Sequence, residues 1–247
     1  MSSELPAASG EFHAGPIIAK SLALLGRHLF KFLLLSFVAA LPPLLLVAYP
    51  APVRGQLDPN YLALALGSGL LTLLLLALCQ PATLFGAFQT MRGRDFELGE
   101  ALGKAIERLM PVVGVSLLVL AAILAGSLLL LVPGLVLWTM FMVAVPVCVV
   151  ERLGPIGSLR RSAELTKGHR LRLFGLFLLL LAGLTALRYL VNSAGLSIGG
   201  RIAAAVLDVG FDAFSTAFEL VAVAVAYHDL RVAKEGIDIE QLAALFD

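Results

Sequence analysis

Apolar positions along the chain alternate between two patterns: long uncharged runs, and shorter stretches where apolar and charged residues recur with a helical period. The longest run, Pro111–Val150, holds no charged residue. At about 1.5 Å per helical residue it reaches roughly 60 Å, enough for two crossings of a hydrocarbon core about 30 Å thick. Pro133-Gly134 stands near its middle, where a reversal is needed. The run therefore predicts a helical hairpin in a bilayer. Four further runs, at about Phe32–Tyr49, Tyr61–Leu84, Leu173–Leu190 and Ala203–Tyr227, raise the predicted crossings to six. Pro42-Pro43 predicts a kink in the first of these, because two backbone donors are missing there.

The charged stretches predict amphipathic helices. After Gly15-Pro16, residues Ile18, Leu22, Leu25 and Leu29 share one face, with Lys20, Arg27 and Lys31 elsewhere. Leu98, Leu102, Ala105 and Leu109 form a second stripe among Glu97, Glu100, Lys104, Glu107 and Arg108. After Gly154-Pro155, a third stripe holds Ile156, Leu159, Ala163 and Thr166, with Arg160, Arg161, Glu164 and Lys167 outside it and Gly168 placed to cap it. Each stretch precedes a pair of apolar runs. The predicted fold is all-α integral membrane, with six transmembrane helices as three hairpins, each preceded by a cytoplasmic amphipathic helix. Residues 1–13 read as a disordered polar tail, 14–236 as a single six-span membrane domain, and 237–247 as a short cytoplasmic helix opened by the Asp238/Gln241 capping pair. The tail lacks a basic segment leading into a short apolar core, so no cleavable leader is expected.

Composition sharpens this picture. The chain is 60% hydrophobic and only 14% charged, which excludes a water-soluble domain of this length. The net charge of +1 matters less than its distribution. With the N-terminus inside, Lys20, Arg27, Lys31, Arg92, Arg94, Lys104, Arg108, Arg152, Arg160, Arg161, Lys167, Arg170, Arg172, Arg231 and Lys234 fall on the inner face. Only Arg54, Arg188 and Arg201 fall outside. That asymmetry predicts that both termini and all three amphipathic stretches lie on the cytoplasmic face.

Candidate chemistry is sparse. Cys79 and Cys148 lie in apolar runs and read as inert thiols, and four scattered His make no metal-ligand spacing with them. No Gly-x-Ser-x-Gly, His-Glu-x-x-His or phosphate-binding glycine loop is present, so no catalytic residue, cofactor or metal is predicted. Basic residues at membrane depth without interleaved aromatics exclude nucleic acid. Two groups remain. Asp208, Asp212 and Glu219 recur on one face of the last span, with Arg188 at similar depth to the aspartates. A carboxylate near the bilayer centre costs several kcal/mol and normally finds a partner. These residues form either a polar pathway or proton site, or an outer-interface salt bridge beside a hydrogen-bonded Glu219. Arg160, Arg161, Lys167, Arg170 and Arg172 are candidates for binding anionic lipid headgroups on the cytoplasmic face, or are ordinary topogenic charge.

The stretch Val132-Pro-Gly-Leu-Val-Leu-Trp, followed by Ala144-Val-Pro-Val-Cys-Val-Val-Glu-Arg-Leu-Gly-Pro-Ile-Gly-Ser-Leu-Arg-Arg-Ser-Ala-Glu-Leu-Thr-Lys-Gly-His-Arg170, resembles a bacterial polytopic family. The family is related to the membrane domain of glycerophosphoryl diester phosphodiesterases. The segment Ala226-Tyr-His-Asp-Leu-Arg-Val-Ala-Lys-Glu-Gly236 is similar to its usual ending. The resemblance implies a multi-span inner-membrane protein without assigned activity. Some relatives carry a soluble phosphodiesterase barrel, which is missing here along with its acidic metal-binding motif, so no catalytic residue is transferred. The expected function is a non-enzymatic protein of membrane or lipid homeostasis, acting through lipid contact, as an accessory partner subunit or as a homo-oligomer. The alternative is a small transporter or channel with a polar pathway at Glu219.

Overall fold

The apolar runs fold into helices whose lengths follow the bilayer. A computed structural model describes residues 14–48 and 58–235, and these are all-helical, without strands. The expected 1–13 tail, the loop around Arg54 and the expected 237–247 helix lie outside the described residues. The helices are α1 (Ala14–Arg27), α2 (Leu29–Ala40), α3 (Leu44–Ala48), α4 (Pro59–Met91), α5 (Leu98–Leu129), α6 (Leu131–Phe141), α7 (Ala144–Val150), α8 (Pro155–Thr166), α9 (Arg170–Gly200) and α10 (Ala203–Glu235). Five helical segments are long and apolar enough to cross a membrane: α4, α5, the broken pair α6–α7, α9 and α10. Counting α1 and α2 as one bent element, with 95° between them, makes six.

The first apolar run breaks where Pro42-Pro43 predicts it, between α2 and α3. Twelve residues make α2 about 18 Å long, too short to cross alone. Asp58 caps α4 by accepting from the Asn60 amide at 2.9 Å, with Pro59 in the first turn. The sequence pattern predicts a separate amphipathic helix before Pro111. Instead α5 runs unbroken through Pro111. At 33 and 32 residues, α4 and α5 are each about 50 Å long, so the polar turns project beyond a hydrocarbon core.

Between α5 and α6 the reversal falls at Leu130, an extended residue with φ −165° and ψ 151°, not at Pro133-Gly134. Pro133 takes the third position of α6, where a missing amide costs little. Gly134 lets the two helices touch, since a Cβ there would lie 2.2 Å from Ser127 Oγ. Gly200 makes the turn between α9 and α10, with φ +65° and ψ −151°, a region open only to glycine. Nearby, a Cβ on Gly195 would stand 2.6 Å from Ala204 Cα, so the two helices meet backbone to backbone.

The packed core lies toward the end holding α1, α8 and the loop 92–97. There the second half of α4, from Pro81 to Thr90, is buried throughout. Phe96, fully buried in the loop, fills the space left by Gly86 and stacks on Phe32 at 5.0 Å between centroids. Lys31 donates to the Phe96 carbonyl, joining α2 to the same loop. Toward the other end, leucines such as Leu66, Leu128 and Leu190 are exposed, as expected of a lipid-facing surface.

Two of the three amphipathic stripes are shared between the core and the surface: Ile18, Leu25, Leu159 and Thr166 pack inward, and the rest of each stripe stays open to a membrane surface. In α1 the buried line is Ile17, Ser21 and Leu25, whereas Leu22 and Leu29 are exposed. In α8 it is Ser158, Ser162, Leu165 and Thr166, while Ile156 is 78% exposed. Small hydroxyl residues suit close helix contacts because they return their proton to the helix backbone. Ser21 donates to the Ile17 carbonyl at 2.7 Å and Thr166 to the Ser162 carbonyl at 2.9 Å. In α5 the whole stripe packs inward, with Ala105 buried and Leu98, Leu102 and Leu109 packed against the core.

Candidate functional site

Charge inside the bundle concentrates at one end, where five side chains from three elements form a collar. Glu151 follows the last residue of α7, so its carboxylate emerges where the uncharged run ends. It accepts from Arg161 Nε on α8 at 2.8 Å and from the Tyr227 hydroxyl on α10 at 3.1 Å. One turn beyond Tyr227, Arg231 lies 4.0 Å from Glu151 and donates to Glu235 at 2.8 Å. Arg161 also bonds Glu235, closing the ring. Arg231 is 6% exposed and Tyr227 fully buried, so their partners are needed to offset desolvation.

Neighbouring contacts extend the collar. Lys20 of α1 meets Asp229 at 3.2 Å, and His228 meets the same carboxylate at 3.2 Å. Lys234 donates to the Glu164 carbonyl and Arg170 to the Ala163 carbonyl at 3.2 Å, both near the end of α8. The break between α6 and α7 frees the Met140 carbonyl, which accepts from Ser162 at 2.8 Å. His169, between α8 and α9, is held below its usual range first by burial and then by the positive charges of Lys234 and Arg172.

Of the five basic candidates for lipid contact, Arg161 and Arg170 turn inward to these bonds. Arg160, Lys167 and Arg172 are exposed, Arg160 with an i,i+4 partner in Glu164 at 3.4 Å. Sequence reading missed the collar, although Tyr227, Arg231 and Glu235 at i, i+4 and i+8 are a legible helical spacing. What it lacked was Glu151, 76 residues away from Tyr227.

The intramembrane group divides by depth. Arg188 on α9 makes a two-pronged pair with Asp208 on α10, both bonds 2.8 Å, and reaches Asp212 at 3.5 Å. Arg188 lies eighteen residues past Arg170, roughly 27 Å, one hydrocarbon thickness away from the collar. The pair is half-exposed, toward the end of the bundle opposite the collar. Glu219 lies ten residues before Asp229, roughly 15 Å, near mid-depth. It is exposed on the outer surface of α10 and has no hydrogen-bond partner among the described residues. The structure thus joins Arg188, Asp208 and Asp212 and leaves Glu219 apart. Among the described residues no three His, Cys, Asp or Glu side chains are grouped as a metal site requires, and Cys79 and Cys148 are buried and free.

Long apolar helices, a lipid-like exposed surface and a charged collar at one end define a multi-pass membrane protein. The chain belongs to the family defined by a domain of unknown function, DUF7847, whose sequence model matches residues 54–234. No curated protein and no solved structure matches the chain.

Proposed function

We propose that this protein is a non-enzymatic six-span protein of a bacterial inner membrane, acting in membrane or lipid homeostasis through contact with anionic headgroups. In this reading three helical hairpins follow amphipathic segments on the cytoplasmic face, and both termini are cytoplasmic. The asymmetric placement of Lys and Arg supports that orientation. The observation that carries the lipid reading is the outer surface of α8 and its junction with α9. There Arg160, Lys167 and Arg172 are exposed beside the bare apolar side chains Ile156 and Leu171, 78% and 83% exposed. That combination suits a helix lying at headgroup level, with its apolar residues in the acyl boundary.

Kinship with the membrane domain of glycerophosphoryl diester phosphodiesterases belongs to the same proposal. The two segments that carry the resemblance meet in the collar, Glu151 and Arg161 from one and Tyr227, Arg231 and Glu235 from the other. The shared letters thus have a structural use, which supports a shared architecture and implies no activity.

The test is lipid retention by the purified protein. In nanodiscs of mixed phosphatidylglycerol and phosphatidylcholine, the triple variant Arg160→Gln/Lys167→Gln/Arg172→Gln should lose its preference for phosphatidylglycerol by about tenfold or more. An unchanged preference removes the α8 reading. The second reading, a small transporter or channel using Glu219, draws on the exposed, unpartnered carboxylate at mid-depth, since such a group calls for water or a partner surface. Proton or ion flux into proteoliposomes that Glu219→Gln abolishes, with the fold intact, would establish it. Flux equal to that of empty liposomes would end it.

A further inference from the structure

A second cationic feature lies apart from the α8 surface. Between α4, α5 and the end of α7, a half-enclosed cavity of about 100 Å³ is lined by Lys104, Glu107, Arg108 and Arg152 over an apolar floor that includes Phe85 and Val149. The lining sets three cations against one carboxylate, and with Glu100 paired to Lys104 the surplus is one positive charge. Lys104 is held over the Phe85 ring at 4.6 Å and meets Glu100 at 3.5 Å. Arg108 and Arg152, by contrast, have no hydrogen bond or ion pair among the described residues.

The backbone at Arg152 points the same way. It has φ +54°, and among the described residues no other non-glycine residue has a positive φ. The turn from α7 to α8 needs a left-handed residue just past the helix end, a position normally given to Gly or Asn. A turn alone does not explain an arginine there. An unpaired guanidinium held in an unfavourable conformation at the edge of a cationic cavity is what a ligand site requires.

The geometry points to a phosphate-binding site formed by Arg108 and Arg152, with Lys104 in support. Guanidinium groups match the oxygens of a phosphate monoester or diester, whose charge also suits the surplus. The cavity has room for several waters and hence for one phosphate group, but not for a large soluble metabolite. It lies at the ends of the uncharged run, with Arg108 three residues before Pro111 on α5 and Arg152 two residues past Val150, where α7 stops. That is the level of lipid phosphates in a bilayer, and soluble phosphate reaches it too. The site shares no residue with the α8 surface and does not depend on it.

Full-length protein in nanodiscs provides the test, with phosphatidylglycerol and inorganic phosphate as separate probes. Native mass spectrometry reads retained phosphatidylglycerol, and thermal unfolding reads stabilisation by phosphate. Arg108→Gln/Arg152→Gln should weaken binding of one probe roughly thirtyfold. Loss with phosphatidylglycerol assigns a lipid headgroup. Loss confined to inorganic phosphate assigns a soluble source. Arg152→Gly guards against misfolding, because glycine keeps the turn while deleting the cation. It should unfold no earlier than wild type and bind roughly fivefold more weakly. Wild-type binding of both probes by these variants overturns the site. Loss in the α8 triple variant alone would do the same while sustaining the surface reading.

Discussion

At the scale of single residues, glycines decide how closely segments approach. Gly86 is the clearest case, because a Cβ there would fall 2.5 Å from the buried Phe96 ring. That ring ties α2 and α4 to the loop before α5. Gly86→Ala should therefore destabilise the protein by about 1–3 kcal/mol through overpacking. Gly103, on α5, meets nothing within 4 Å, so Gly103→Ala should stabilise by about 0.5–1 kcal/mol through helix propensity. Thermal unfolding of the two variants in one detergent checks the opposite signs. Neither sign is legible in the sequence, where both glycines stand in helix-forming stretches. Glu219 shows the converse. Its mid-depth position is readable by counting along the last apolar run, but its exposure depends on which face of α10 the other helices cover.

At the scale of elements, breaks and collars replace the tidy units that periodicity suggests. The Pro42-Pro43 break is visible in the sequence because proline's missing donor is local chemistry. The reversal at Leu130 is not, since any residue adopts an extended conformation and Pro133 is equally content inside the first turn of α6. The collar joins the end of α7 to α8 and α10 by charge. Removing Glu151 leaves Arg231, only 6% exposed, without one of its two carboxylates. Glu151→Gln should cost about 2 kcal/mol. That is below the 3–5 of a fully buried pair, because Glu235 remains and Arg161 keeps some solvent. Glu100→Gln, at a half-exposed i,i+4 pair with Lys104, should cost no more than about 0.5 kcal/mol. Denaturant-induced loss of tertiary signal, compared between the two variants, measures the difference. Equal losses would show that the collar adds nothing beyond a surface pair.

At the scale of the whole molecule, the proposed topology places the loop 92–97 and the turn at Gly199-Gly200 on opposite sides of the membrane. Between them lie three crossings: α5, the broken α6–α7, and α9. Native Cys79 and Cys148 are buried and give little background. In spheroplasts, an impermeant maleimide should label Ser197→Cys, and should label Asp95→Cys only after permeabilisation. Labelling of both from outside would refute an odd number of crossings between them and the cytoplasmic placement of the basic end.

The sequence by itself determined that this chain lives in a bilayer, where most of its helices run, and which end gathers the positive charge. These follow from transfer free energies and from the 1.5 Å helical rise, both of which act on short stretches of chain. Tertiary structure decided which faces meet protein and which meet lipid. Leu22 and Ile156 stand on the apolar stripes and are exposed, while Ser21, Ser158 and Ser162, which lie off those stripes, turn inward. The reason is that lipid tails are as apolar as leucine, so hydrophobicity does not separate a protein-facing side from a lipid-facing one. Close approach does, and it selects small residues that satisfy their own hydroxyls. Likewise Glu151 meets Tyr227, and Arg108 and Arg152 line one cavity, although each pair is far apart in the chain, and only the packed bundle brings them together.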